Sequence, residues 1–407
     1  MEPPTLISAD DHLIEPPNIW TDRLPQRYQE QAPRVVDVDG TEKWTYEGKQ
    51  YATVGLYATA GKKPEDFSMD PLRYTDMPKA CYDPVERAKI MDEDGVGMSL
   101  LFPTFPRTCG QTFMEGSDPE LGDLCVKAWN DYILDEWCAA APGRFIPMII
   151  GQLWDPRLMA AEVRRCAAKG AKALSFSENP TKLGRGVPHA VAPDLPRTPD
   201  TGADWDKVFA NQLEFKAPDG LPSFFTRYWD PLWEALVETD MAVCLHIGSS
   251  SEVLRTGPDA PFTTTLALQS VNAWAAAVDL MFSPIPRRFP SLKFVLSESA
   301  IGWVPFALEF TDDMWSKHRF YSGSKWIETP PSEVWRQNLW ACLIDEHVGV
   351  EMRHHIGVDK ILWECDYPHS DSSYPNSAKV VPENLRDCTP DEIAAITHGN
   401  AEHVFNL

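Results

Sequence analysis

The stretch DPVERAKIMDEDGVGMSLLF, residues 83–102, holds the rule by which the rest of the chain can be parsed. Asp83 is suited to cap a helix, Pro84 fits the first helical position, and Glu86 would complete a capping box. Gly95 supplies a left-handed stop. VGMSLLF then reads as a strand covered on both faces, being apolar nearly throughout rather than alternating. The same order returns at Asp155-Pro156, where Met159, Val163 and Cys166 share a helical face and Gly170 precedes AKALSF. It returns again at Asp230-Pro231, whose LWEALVETD leads into MAVCLH. Working outward, eight apolar runs emerge, at 5–9, 96–102, 145–150, 171–176, 241–245, 292–297, 339–344 and 360–365. Helical patterns at 119–141, 156–169, 230–240, 265–281, 302–315 and 347–356 separate nearly all of them. Eight strands with intervening helices predict an α/β fold of the (β/α)8 TIM-barrel type. A doubly wound open sheet is built from the same units, but no glycine-rich dinucleotide fingerprint follows the first strand.

Two stretches depart from this repeat. Residues 22–80 contain VVDVDGTEKWTYEGKQYATV, in which Asp39-Gly40 and Glu47-Gly48 punctuate alternating segments as hairpin turns do. A small β insertion after strand one is expected there. Residues 182–222 are rich in Pro, Gly and Asp and fall between strands four and five, where a long loop serves as a lid or an oligomer contact. The whole chain, 1–407, reads as one barrel domain carrying both insertions.

Composition narrows the function. Hydrophobic residues make up 43 % and aromatics 11 %, so a large core forms and global disorder is excluded. Against 37 Lys and Arg stand 60 Asp and Glu, a net charge of −23. Such a surface repels phosphate backbones and anionic lipid, so neither nucleic acid nor membrane is expected as a partner. The nine cysteines lack any CxxC spacing and several sit in apolar runs, which points to a reducing compartment. The first residues, MEPPTLISADDH, carry neither a basic nor an apolar signal region, and no apolar run reaches the roughly 18 residues of a membrane span. A cytoplasmic homo-oligomer acting on a small-molecule substrate is expected.

In a barrel of this type the chemistry lies at the C-terminal ends of the strands. Strand one ends in Asp10-Asp11-His12, strand five in His246, strand six in Glu298 and strand eight in Asp366. Taken singly, an Asp there is ordinarily a cap and a lone His a satisfied polar group. Four strands delivering carboxylate or imidazole at one level suit a divalent transition metal such as Zn or Mn. Asp10 and His12, two residues apart, share a strand face and can reach one ion.

These motifs resemble the amidohydrolase superfamily, specifically the amidohydrolase-2 group that includes aminocarboxymuconate-semialdehyde decarboxylase and the resorcylate-type decarboxylases. The resemblance is carried by ISADDHLIEP, ERAKIMDEDGV, LHIGSS, VLSESAIGWVP, WECDYPHSD and GNAEHVFNL, over most of the chain. It implies one divalent ion, Zn or Mn, held by Asp10, His12, His246 and Asp366. Two positions depart from the family. Its first motif is commonly His-x-His, or Glu in the first place; a carboxylate at Asp10 moves preference from Zn toward Mn. Where the family commonly places a His at the end of strand six, this chain has Glu298.

The first functional expectation is a hydrolase working through metal-bound water, with Asp366 taking the water's proton and Glu298 as a second proton carrier. His369 would orient Asp366 or the substrate, or else cap its own turn. The alternative is a non-oxidative decarboxylase of an aromatic carboxylic acid, in which Asp366 protonates the carbon that loses CO2. A second alternative is a non-catalytic ligand-binding barrel, motivated by the altered positions Asp10 and Glu298. For substrate binding the candidates are Arg107, Phe105 and Trp303, although large aromatics also fill a barrel's outer shell and a loop Arg can be without a role. GSSSE at 248–252 lacks the strand–GxSxG–helix elbow of a serine nucleophile.

Overall fold

The expected Asp–Pro starts cap helices at two of the three places. In the computed structural model, which describes residues 6–51, 54–55, 58–67, 73–187, 189 and 220–407, Asp83 accepts from the Val85 and Glu86 amides at the start of α1 (Pro84–Asp94). Gly95 closes that helix at φ +81°. Glu86 pairs with Lys89 at 2.7 Å, so only the Asp83 side of the expected capping box is recorded. Asp118-Pro119, a start that the sequence reading did not single out, begins α2 (Pro119–Tyr132) in the same way, and Asp155 caps α3 (Pro156–Ala167). At the third expected start the cap is absent: Asp230 is already inside α4 (Asp230–Thr239) and its carboxylate is drawn to Arg288.

The eight apolar runs become the eight barrel strands: β1 (Leu6–His12), β2 (Val96–Phe102), β3 (Phe145–Ile146 and Met148–Ile149), β4 (Ala173–Phe176), β5 (Ala242–His246), β6 (Phe294–Ser297), β7 (Leu339–Leu343) and β8 (Ile361–Trp363). All pair in parallel and in chain order. Pro147 splits β3 because it brings no amide to the ladder, yet its carbonyl still accepts from Lys172 at 2.8 Å. The barrel closes between β8 and β1 through Asp366 N to Asp10 O at 2.9 Å and His12 N to Tyr367 O at 2.7 Å. Residues from every strand, among them Ile7, Ala9, Leu100, Met148, Ala173, Cys244, Val295, Trp340 and Leu362, fill the interior. The last helical turn, with Ala401, Val404 and Phe405, plugs the bottom. The barrel is therefore a packed core whose open end is the one at the strand C-termini.

The first insertion is the expected β unit. Strands Arg34–Val38, Thr41–Tyr46 and Lys49–Gln50 form an antiparallel sheet. Its turns put both central residues at positive φ, Asp39 and Gly40 in one, Glu47 and Gly48 in the other, as type I′ hairpins require. The expected long loop at 182–222 lies largely outside the described residues. The other helices that bear on the site are α5 (Ser270–Phe282) and α6 (Val304–His318). No helix among the described residues is long and apolar enough to cross a membrane, and the nine cysteines are free.

Candidate active site

β1 departs from regular pairing where the chemistry begins. Its register against β2 runs Ser8 to Ser99 and then Asp11 to Leu101, so three steps on β1 oppose two on β2. This bulge breaks the period of two. Ile7 and Ala9 point into the barrel, and after the bulge Asp10 and His12 do so as well. Asp11 is turned the other way. Its carboxylate receives Tyr367 N at 2.9 Å and the Ser99 hydroxyl, and stands 3.9 Å from Arg87. Arg87 is fully buried, donates to the carbonyls of Ala80 and His12, and lies 4.3 Å over the Tyr367 ring. The Asp11–Arg87 pair thus ties the end of β1 to the turn after β8.

Inside the mouth, His12 Nε2 and His246 Nε2 face each other at 3.0 Å. Asp10 Oδ1 is 3.6 Å from His12 Nε2, Asp10 Oδ2 is 3.6 Å from His246 Nε2, and Asp366 Oδ1 is 3.6 Å from His12 Nε2. Glu298 Oε2 lies 3.7 Å from His246. His369 Nδ1 stands 2.9 Å from Asp366 Oδ1 and 3.5 Å from Glu298 Oε1. All seven metal or catalytic roles assigned from sequence fall on this one group, Asp366 serving in two of them. Each donor lies within the end of a strand or in the turn that follows it, and β5 and β6 end level, with His246 opposite Ser297.

Three observations test whether a cation suits these donors. Both oxygens of Asp10 are buried with no hydrogen-bond partner. Such a carboxylate is costly unless something else satisfies it. His246 Nδ1 contacts the Ile247 carbonyl at 2.6 Å, which places the ring proton there and leaves Nε2 with a bare lone pair. Donors about 2.0–2.2 Å from one ion, at octahedral to tetrahedral angles, lie about 2.8–3.6 Å apart. The observed 3.0 and 3.6 Å separations match. A single divalent ion, zinc or manganese, fits this set.

Electrostatics agree with the geometry. Burial, with Glu364 and Glu298 next in weight, raises Asp10 well above the usual carboxylate range. Burial also lifts Asp366 to about 8. His12 and His246 are pushed down, chiefly by burial, and so remain neutral donors. For His369 burial disfavours the charge, but Asp366 and Glu298 outweigh it and hold the ring up at about 10. Glu298 is held low because His246 and His369 overcome its burial.

Above this group lies a cavity of about 370 Å³. Pro103, Ile247, Val253, Phe262 and Leu266 supply apolar walls, while Thr104, Arg107, Thr108 and Gln269 supply polar ones. Arg107 is thus where the sequence placed it. Its Nη2 pairs with Glu115, whereas its Nε and the Thr108 hydroxyl are buried without hydrogen-bond partners. Phe105 and Trp303 need correcting as substrate contacts, since neither lines this cavity. Phe105 packs among Trp20, Trp44, Tyr51 and Phe113 beneath the β insertion. Trp303 donates to the Ser299 and Ala300 carbonyls and stacks on Trp274 in the outer helical layer.

Two residues that sequence reasoning passed over shape the site. Glu364, 1 % exposed, accepts from Glu298 N at 3.1 Å and supports that residue at its left-handed φ of 52°. Its signal was available: it stands two residues before Asp366 in WECD, hence on the same strand face. Glu15 accepts from the amides of Thr104 and Phe105 at 3.0 and 2.8 Å and from Trp129 Nε1 at 3.1 Å, pinning the loop that forms one cavity wall. Only the tertiary structure shows that contact.

Comparison with known proteins places this barrel. The family model described as amidohydrolase, of the Amidohydro_2 type, matches residues 36–407, and the chain belongs to that family of enzymes. The match begins beyond β1, so Asp10 and His12 join the group on geometry. Among solved structures, an amidohydrolase from Mycobacterium avium subsp. paratuberculosis K-10 is similar over 100 % of both chains, with a TM-score of 0.71 and 19 % identity. The 5-carboxyvanillate decarboxylase of Sphingomonas paucimobilis is similar over 84 % of this chain and 88 % of its own, with a TM-score of 0.59 and 20 % identity. A dihydroxybenzoic acid decarboxylase from Polaromonas sp. JS666, solved with manganese and the inhibitor 2-nitroresorcinol, is similar over 99 % of this chain and 97 % of its own (TM-score 0.56, 15 % identity). Among curated proteins no match is found.

Proposed function

We propose that this protein is a metal-dependent, non-oxidative decarboxylase of an aromatic carboxylic acid. The observation that carries the reading is the Asp366–His369 pair, 2.9 Å apart at the floor of the cavity. The charges of Asp366 and Glu298 hold His369 up at about 10, so at neutral pH it keeps a proton that it can hand to Asp366. Hydrolysis asks for a base at this place, and decarboxylation asks for an acid. The resemblance in fold to enzymes named for the decarboxylation of carboxyvanillate and dihydroxybenzoate supports the same choice over the hydrolase expected first. The non-catalytic reading loses its motive, because Asp10 and Glu298 both join the donor group.

Asp10, His12, His246 and Asp366 would hold one zinc or manganese ion, which when bound supplies Lewis-acid polarisation of the substrate carboxylate. The apolar walls clasp a planar ring, and a cavity of this size takes a single substituted one. Arg107 Nε and the Thr108 hydroxyl receive an anionic or phenolic oxygen of the ring. The bond from ring carbon to carboxylate breaks, its electron pair stays on the carbon, and a proton from Asp366 takes the place of CO2. That proton reaches Asp366 from His369, whose charge Glu298 steadies from 3.5 Å.

Turnover of a panel of hydroxylated benzoic acids in 2H2O and in 18O-water tests this. Expected are CO2 release, deuterium at the vacated ring position and no 18O in the organic product. Label from 18O-water in the organic product, without CO2, would overturn the proposal in favour of hydrolysis.

A further inference from the structure

The outer face of α6 carries an apolar stripe that the barrel does not use. Val304, Ala307, Leu308 and Thr311 bury the inner face. On the opposite side, Phe306 is 57 % exposed, Phe310 46 %, Phe320 64 % and Tyr321 61 %. Between them lie Asp313 and Lys317, paired at 2.6 Å. The spacing 306, 310, 313, 317, 320/321 alternates fours and threes and so keeps one helical face. Arg319 stays helical and Ser322 N bonds His318 O at 3.2 Å, which extends the turn to the last two aromatics. Phe306 and Phe310 are stacked at 5.4 Å, and Trp274 of α5 abuts Phe306 at 5.6 Å.

We infer that this stripe is a two-fold interface and that its occupant is α6 of a second copy of this chain. The order of residues is what commits it. Phe306 and Tyr321, and likewise Phe310 and Lys317, are equidistant from a point between Asp313 and Met314. Two such helices laid antiparallel about that point bring Phe306 of each against Tyr321 of the other. They also bring Phe310 of each against Lys317, a cation over a ring. The surface is self-complementary, as an isologous contact must be.

Charge and area point the same way. In a chain of net charge −23, self-association needs a face without excess charge, and this stripe holds one Asp and one Lys. At roughly 200 Å² per ring, the four aromatics leave roughly 450 Å² of apolar surface in water. That is already about half of the ~800 Å² each partner buries in a standard interface.

The test is the mass of the full-length protein by light scattering or sedimentation at micromolar concentration. The native chain is expected as a multiple of 45.8 kDa, and Phe306→Asp as a species of half the native mass. Asp313→Cys places two thiols beside the proposed axis and is expected to form a reducible cross-linked dimer on mild oxidation. Arg157→Cys, on the exposed side of α3, is expected to form none. A monomeric native protein, a Phe306→Asp chain that keeps the native mass, or an Asp313→Cys chain that cross-links no better than Arg157→Cys would overturn the inference.

Discussion

Asp366 is the residue at which function and stability oppose each other most directly. Its carboxyl is 1 % exposed and lifted from an ordinary 3.8 to about 8 by burial. The folded metal-free protein therefore binds a proton that the unfolded chain releases between those values. This penalty is absent below pH ~4, grows with pH, and is fully present above pH ~8; at pH 7 it amounts to about 4 kcal/mol. Asp366→Asn removes the ionisable group while keeping its shape. At roughly 2.1 cal/mol/K per residue the unfolding entropy of this chain makes that about 5 °C in Tm. Thermal melts of chelator-treated protein are therefore expected to show Asp366→Asn above the native chain by about 5 °C at pH 7, with the gap closing toward pH 4. Metal addition should raise the native Tm and leave the variant unmoved, and the variant should lack activity. A variant less stable than the metal-free native protein at pH 7, or a gap that does not change with pH, would refute this account of the buried carboxyl.

Further expectations follow from the same geometry. Because Asp10 and Asp366 are both held up without a cation, metal binding at pH 7 should release more than one proton per ion, which calorimetry in buffers of different ionisation enthalpy reads directly. His246→Ala should abolish turnover and leave less than roughly a tenth of an equivalent of metal bound, by elemental analysis. Glu298→Gln should slow turnover roughly 100-fold or more with metal content unchanged if the residue serves proton transfer, whereas loss of metal would make it a ligand. Arg107→Ala should lower kcat/KM about 10- to 100-fold, the worth of one charge-assisted hydrogen bond, mainly through KM; an unchanged KM would remove Arg107 from the substrate's contacts.

Much of this molecule is legible in one dimension, for local reasons. Asp83, Asp118 and Asp155 each stand beside a proline and cap the helix that begins there, because a short carboxylate reaches two free amides without help from the rest of the chain. The strands read as apolar runs because both faces of each are covered. Where such runs stop, a barrel collects whatever polar residues follow, and so Asp10, His12, His246, Glu298 and Asp366 could be named together from sequence. Reading Phe105 and Trp303 as substrate contacts failed for the complementary reason. An aromatic in a loop packs against whichever surface is nearest, and for these two that surface is other aromatic side chains.

The sequence by itself determined the periodicity of the elements, the type of donor at each strand end and the overall charge, all properties of short stretches. The tertiary structure alone decided which donors meet. The bulge in β1 sets Asp10 on the inner side directly after Ala9 and leaves Asp11 outside, making one a member of the donor group and the other the partner of Arg87. Glu364 reaches beneath Glu298, and Glu15 holds the loop before Arg107, across separations in sequence that no local pattern spans. Such contacts depend on strand register and closure, which are set by the packing of the whole barrel.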